Sequence, residues 1–213
     1  MAKARSKSSQ IALPLKLGSA GAEQRIVVGN ANQAAIDALS KPHHWPYHTA
    51  VLTGPPRSGK SLLGKWLAEQ GVAVVDGADA IPEAELFHRW NASQQGGSKA
   101  GEALLLIADI QPWRIALPDL ASRLGGSLQL ELSEPDDAMA RDLLEEMATQ
   151  RGLTLGPGAA DYLIPRAVRS FAALERLVAM IDRISLERAA PATMSVWRAA
   201  LEALQGPEQP RLI

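Results

Sequence analysis

This sequence contains no cysteine, so neither disulfide bonds nor thiolate metal sites are available to it. A chain of this kind suits a reducing compartment, and we expect a cytoplasmic location. The sequence also lacks any apolar run near the roughly 20 residues that a membrane-spanning helix needs, and residues 1–10 lack the apolar core of a signal peptide. We therefore expect no association with a membrane.

An excess of charge of either sign is missing as well. The formal net charge is -1, which argues against a surface that coats nucleic acid. The chain has 213 residues, of which 46% are hydrophobic. This is enough for one α/β domain with a small second domain.

A glycine-rich stretch fits the phosphate-loop pattern G-x-x-x-x-G-K-[ST] and comprises Gly54, Pro55, Pro56, Arg57, Ser58, Gly59, Lys60 and Ser61. An apolar segment that predicts a buried strand precedes it, and apolar residues at helical spacing follow it. Loop N–H groups and the start of the helix can then bind phosphate oxygens, while Lys60 reaches the outer phosphates and Ser61 ligates Mg²⁺. A chance match in an ordinary turn is the alternative, and the flanking elements argue against it.

Two further predicted strands, residues 72–75 and 103–108, are each followed by an aspartate, Asp76 and Asp109. Phosphate-loop enzymes use an acid at such a strand end to hold the magnesium shell, and usually a second acid to position water. Gly77 follows Asp76, so the second acid is missing from this pattern and we expect slow intrinsic hydrolysis. The residues alone leave open which of the two strands carries the magnesium acid.

The order of elements predicts an α/β fold with a parallel sheet followed by a small all-helical lid. After a fourth strand at 127–132, the pattern indicates helices only, at about 135–151, 158–165, 168–188 and 193–204. We therefore predict four regions: an N-terminal tail (1–22), a nucleotide-binding α/β domain (23–133), a helical lid (134–206) and a short tail (207–213).

The apolar hexamer of residues 10–15 lies between a polar tail and a linker rich in glycine and serine. Such an extended segment can dock Leu13 and Leu15 into an apolar pocket while Gln10 makes polar contacts. It can also form a strand on its own domain, and the residues by themselves favour that alternative.

Several of these pieces together resemble the DnaA-related AAA+ family, and in particular its Hda-type regulators of the replication initiator DnaA. They are residues 10–15, residues 27–29 with Asn32, the phosphate loop, and residues 86–91, 117–124 and 168–171. The resemblance implies an AAA+ fold that binds ADP or ATP with Mg²⁺. Only a helix-length segment separates the phosphate loop from the strand at 72–75, where the family has an additional strand and helix, so we expect a sheet that is one strand short.

The resemblance also implies roles for single residues. Asp76 is then the Walker B acid, which holds Mg²⁺ through water, and Asp109 is the sensor 1 residue. Arg123 matches an arginine finger that acts in trans, Arg169 matches the sensor 2 arginine of the lid, and Val28 lies beside the nucleotide.

The function implied by the resemblance is that of an adaptor. Gln10, Leu13 and Leu15 are similar to the motif with which Hda-type proteins bind the sliding clamp of DNA polymerase III. The resemblance therefore favours docking on the clamp over a strand on the chain's own domain. Clamp-bound protein would stimulate hydrolysis of DnaA-bound ATP and so restrain initiation of replication. Direct, sequence-specific DNA binding is not expected, and homo-oligomers are left open. The alternatives are an autonomous phosphate-loop ATPase and a nucleotide-binding scaffold for an unrelated partner.

Overall fold

The computed structural model of the chain describes residues 25–95, 103–109 and 112–205. Its backbone divides into two compact units, residues 30–133 and a second unit made of residues 134–205 with residues 25–29. We predicted that the α/β domain begins at residue 23, whereas the compact α/β unit begins at residue 30. Residues 25–29 group with the second unit, in which Gly29 packs so closely on Met139 that an added Cβ would lie 2.8 Å from its Cγ.

The first unit contains a parallel four-stranded sheet. Its strands are β1 (Thr49–Thr53), β2 (Ala73–Val75), β3 (Leu104–Ile107) and β4 (Leu128–Glu131), in the spatial order β2-β3-β1-β4. Its α-helices are α1 (Gln33–Leu39), α2 (Lys60–Ala68), α3 (Glu83–Gln94) and α4 (Pro118–Gly125). The predicted fold class is confirmed, and the predicted strands all occur, with ends that differ by at most one residue.

Among the described residues, no additional strand lies between α2 and β2, as the sequence predicted. Helix α2 ends at Ala68 and β2 begins at Ala73, so residues 69–72 are all that joins them. In the described residues, β2 is therefore an edge strand that pairs only with β3. A shortened edge breaks no pairing in the sheet interior, which explains why the unit retains its core.

The two central strands carry that core. Ala50, Leu52, Leu105 and Leu106 are fully buried, as expected for parallel strands covered by helices on both faces. Because all four strands are parallel, their carboxyl ends lie at one edge of the sheet. The phosphate loop after β1 and the aspartates after β2 and β3 are thereby brought to the same edge.

The second unit is helical, with α5 (Asp137–Gln150), α6 (Ala159–Leu163), α7 (Phe171–Glu187) and α8 (Met194–Gln205). The Asp136 carboxylate begins α5 by accepting the Met139 N–H at 2.8 Å, and the Ser170 hydroxyl begins α7 by accepting the Ala173 N–H at 3.2 Å. Helix α7 packs against α5 and α8 through buried residues at helical spacing, including Leu174, Leu177, Val178 and Ile181. No helix of the described residues is long and apolar enough to cross a membrane.

Candidate functional site

The phosphate loop requires glycine at both of the positions that its pattern fixes. Gly54 has φ +152°, and an added Cβ would lie 2.7 Å from the Cβ of Leu132. Gly59 has φ +89°, a left-handed conformation, and it directly precedes the first turn of α2. The loop backbone can therefore approach an anion closely, and the N-terminal N–H groups of α2 start at its end.

Two variable positions of the loop are also informative. Arg57 is exposed and adopts φ +64°, a conformation that costs a non-glycine residue about 1–2 kcal/mol. The Ser58 hydroxyl is buried without a hydrogen-bond partner in the structure. A strained backbone and an unpaired buried hydroxyl in one loop are typical of a functional site rather than of an ordinary turn.

Lys60 is buried, with 6% of its side chain exposed, and its ammonium group is fully occupied. Nζ donates to the carbonyl oxygens of Gly54 at 2.9 Å and Pro55 at 3.0 Å, and it lies 3.0 Å from Oδ1 of Asp109. An ammonium group has three N–H donors, so each has an acceptor. The structure thus brings together two of the predicted site residues, Lys60 and Asp109.

Asp76 is exposed at the end of the edge strand β2, and β3 lies between that strand and β1. Within the described part of the chain, the lysine of the loop pairs with Asp109 and not with Asp76. The roles of Asp76 as Walker B acid and of Asp109 as sensor 1 residue stay predictions.

A third carboxylate at this edge was missed by the sequence reasoning. Asp79 Oδ2 accepts the backbone N–H of Asp109 at 3.2 Å. Left-handed Gly77 (φ +67°) begins a short 3₁₀ turn, Ala78–Ala80, and this turn carries Asp79 to the end of the neighbouring strand. The signal in the sequence is an acid three residues beyond Asp76, and not at the adjacent position at which a second acid usually stands.

Magnesium would have few direct protein ligands at this edge. Among the described residues, no group of three or more histidine or acidic side chains is arranged to hold a metal ion. Ser61 is exposed in the first turn of α2, where its hydroxyl can serve as one ligand. Mg²⁺ normally binds through one or two protein groups together with phosphate oxygens and water, so the residues present fit an ion that arrives with a nucleotide.

Arg123 lies in a second arrangement, which we call the arginine clamp: Arg123 on α4 with Phe87, Trp90 and Asn91 on α3. The guanidinium carbon lies 4.5 Å from the ring centroids of both Phe87 and Trp90, and Nη1 donates to Oδ1 of Asn91 at 2.5 Å. Trp90 is buried, whereas Arg123 is only partly so. Cation–π contacts on two rings and a hydrogen bond therefore fix the orientation of a cation that solvent still reaches.

The helical unit matches the model of a known domain family. Residues 137–198 match the family model described as the lid domain of Hda. The whole fold is similar to domain III of the Thermotoga maritima replication initiation protein DnaA, with a TM-score of 0.67 and 15% identity over 84% of this chain and 95% of that one. The chain therefore has an AAA+ fold, and its helical unit is similar to the lid domain of Hda.

Two further solved structures have a similar fold, and one curated protein matches part of the sequence. The Holliday junction branch migration motor RuvB of Thermotoga maritima has a TM-score of 0.55 and 14% identity, over 81% of this chain and 69% of that one. A replication initiator DnaA bound to AMPPCP and single-stranded DNA has a TM-score of 0.51 and 18% identity, over 76% of this chain and 65% of that one. An uncharacterized protein of Haemophilus influenzae is 35% identical over 106 residues, which are 48% of this chain, and the match spans 43% of that protein's length.

Two of the remaining predicted site residues, Arg169 and Val28, belong to the unit that contains the Hda-type lid. Arg169 precedes α7 and forms an ion pair with Asp137, with Nε 2.9 Å from Oδ1, and both side chains are more than half exposed. Val28 is partly buried in the segment that groups with this unit. Gln10, Leu13 and Leu15 of the predicted clamp-binding hexamer lie outside the described residues.

Proposed function

We propose that this Hda-like protein stimulates hydrolysis of ATP bound to DnaA by presenting Arg123 in trans. The match of its helical unit to the Hda lid domain and its fold similarity to DnaA domain III support a relation to DnaA, and the contacts of Arg123 support a specific mode of action. A guanidinium beside a transferring phosphoryl group stabilises the charge that develops in the transition state, and such fingers contribute about 10³ to 10⁵ in rate. The catalytic turnover would belong to DnaA.

The observation that carries the proposal is the direction in which Arg123 is held. Among the described residues, the hydrogen bond and ring contacts of its guanidinium go to α3, and none goes to the phosphate loop of its own chain. A finger that served this chain's own nucleotide would be expected near Lys60. Arg123 is instead pre-oriented and partly exposed, which suits contact with a nucleotide on another protein.

Nucleotide binding by this chain is supported by the phosphate loop. Gly54 and Gly59 let backbone N–H groups approach an anion, and the buried ammonium of Lys60 can balance its charge. We propose ADP or ATP as the ligand, with Ser61 and, through water, Asp76 as the groups that would hold Mg²⁺. Bound magnesium supplies neutralisation of phosphate charge. Val28 and Arg169 stay proposed nucleotide-binding residues, as the resemblance implies.

Docking on the DNA polymerase III sliding clamp is proposed from the hexamer alone. Leu13 and Leu15 would fill an apolar pocket of the clamp, with Gln10 as the polar anchor. A cytoplasmic location and the absence of direct sequence-specific DNA binding are parts of the same proposal.

The test is a reconstituted assay of DnaA-bound ATP. DnaA loaded with radiolabelled ATP is mixed with clamp-loaded DNA, and the conversion to ADP is followed with and without the Hda-like protein. We expect faster conversion only when both the protein and the loaded clamp are present. Conversion at the same rate with and without the protein would reject the proposed function.

A second candidate function is autonomous ATP hydrolysis, and one observation favours it. The Asp79 carboxylate accepts the backbone N–H of Asp109 at the end of β3, so the edge that holds the phosphate loop carries two neighbouring acidic residues, Asp79 and Asp109. One such acid could position water while another served the magnesium shell. Rapid phosphate release by the purified protein without DnaA would favour this candidate.

A further inference from the structure

The ion pair between Lys60 and Asp109 has a consequence for nucleotide binding. All three N–H donors of the Lys60 ammonium are used, by the carbonyls of Gly54 and Pro55 and by the Asp109 carboxylate. A phosphate oxygen can bind this ammonium only if one of those acceptors leaves. Asp109 is the acceptor among them that carries a negative charge.

We propose that Asp109 is an internal competitor of the nucleotide, which occupies the position on Lys60 that a phosphate takes and must leave before the phosphate binds. The inference rests on the proposed nucleotide binding at the same loop. It assigns Asp109 a role that limits affinity in the empty protein, distinct from any role in hydrolysis.

The structure shows why Asp109, rather than a loop carbonyl, is the group that leaves. The carbonyls belong to a backbone fixed by the tight packing of Gly54 on Leu132. The Asp109 side chain is 71% exposed, so it can rotate into water without losing a buried environment. Its backbone N–H is held separately by Asp79, so the main chain at the end of β3 stays in place when the carboxylate moves.

Charge strengthens the competition. If the Asp109 carboxylate and a phosphate both lay beside the Lys60 ammonium, the two negative groups would be close enough to repel each other. The buried position of Lys60 limits screening of this repulsion by solvent. Mg²⁺ on the nucleotide would reduce this repulsion. The inhibition by Asp109 should therefore be largest for nucleotide without magnesium.

The experiment measures the affinity for ADP in excess EDTA by isothermal titration calorimetry, with full-length protein. Asp109→Asn keeps the shape of the side chain and removes its charge, and Asp109→Ala removes the competing acceptor altogether. Both variants should bind ADP about fivefold more tightly than wild type, the size expected for the loss of one largely exposed ionic contact. Adding Mg²⁺ should shrink the difference.

Two further variants serve as controls. Glu69→Gln removes one negative charge at the opposite end of α2 and should bind ADP as wild type does. Lys60→Ala tests the proposed nucleotide site itself and should bind no ADP. Thermal unfolding of each variant confirms that the fold is retained.

The outcomes separate the inference from the proposed function. If wild type binds ADP, Lys60→Ala does not, and neither Asp109 variant binds more tightly, the competition is rejected while nucleotide binding stands. If Glu69→Gln gains as much affinity as the Asp109 variants, the effect is one of net charge and the assigned contact is wrong. If neither wild type nor the Asp109 variants bind ADP, both the inference and nucleotide binding are rejected.

Discussion

The guanidinium of Arg123 stacks over the ring of Phe87, 4.5 Å from its centroid, and thereby connects α4 to α3. Trp90 supplies a second ring at the same distance, and Asn91 receives a hydrogen bond from the same guanidinium. Arginine side chains have high conformational entropy when unrestrained. These contacts restrict Arg123 before any partner arrives, and restricted orientation is what a finger acting in trans needs.

Replacing Phe87 with leucine tests this orientation. The variant keeps an apolar side chain in place but removes one ring, and a cation–π contact at a partly exposed site contributes about 0.5–1 kcal/mol. We expect stimulation of DnaA to fall about two- to fivefold, with nucleotide binding unchanged. Arg89→Ala is the matched control, because Arg89 lies on the same helix but pairs with Glu85 and is not part of the arginine clamp. Full stimulation by Phe87→Leu would show that the stacking does not matter.

Gly54→Ala tests whether the phosphate loop depends on the close approach to Leu132. The new Cβ would meet that side chain at 2.7 Å, and the backbone has a φ of +152° that L residues rarely adopt. We expect a loss of about 1–3 kcal/mol in the free energy of unfolding, or several degrees in Tm. Gly125→Ala is the control: its Cβ would meet nothing within 4 Å, and we expect its Tm to stay the same or rise slightly. Equal Tm values for Gly54→Ala and wild type would contradict the geometry described.

The double variant Leu13→Ala and Leu15→Ala tests the proposed clamp contact. A docked peptide depends on a few buried anchors, so we expect binding to the isolated clamp to be lost in surface plasmon resonance. The Tm should change little, because the hexamer is proposed to lie outside the folded core. A large drop in Tm would instead indicate that the segment packs on its own domain, the alternative that the residues alone favoured.

Intrinsic hydrolysis provides a test that needs no partner. Asp109 is engaged with Lys60, and Gly77 stands where a second acid would follow Asp76, so we expect purified protein to release phosphate from ATP at about 10⁻² s⁻¹ or less. A coupled phosphate assay with Lys60→Ala as the blank measures this rate. Turnover near 10 s⁻¹, a typical value for enzymes, would support the autonomous ATPase instead.

The sequence predicted the sheet and the phosphate loop because both are encoded locally. Buried parallel strands consist of short apolar runs such as Leu104–Ile107, and the loop glycines have backbone conformations that other residues rarely adopt. The helical lid was predicted for the same reason, since the buried positions of α7 recur at helical spacing.

The contacts of the site could not be predicted in this way. The pairing of Lys60 with Asp109 depends on β3 lying next to β1, an order of strands that follows from crossover connections and not from adjacency in the sequence. Asp79 reaches the end of β3 through a turn that begins at left-handed Gly77. The arginine clamp joins residues 32 positions apart on two helices, and only their packing brings Arg123 onto Asn91.

The most direct test of the central claim compares Arg123→Ala and Arg123→Lys with wild type in the assay of DnaA-bound ATP on clamp-loaded DNA. Nucleotide and clamp binding by each variant are measured alongside, and Tm values confirm folding. We predict that Arg123→Ala binds nucleotide and clamp normally but loses stimulation, by about 10³-fold or to the unstimulated rate. Arg123→Lys should restore little, because an ammonium group cannot reproduce the paired planar donors of guanidinium. Undiminished hydrolysis with Arg123→Ala would contradict the account.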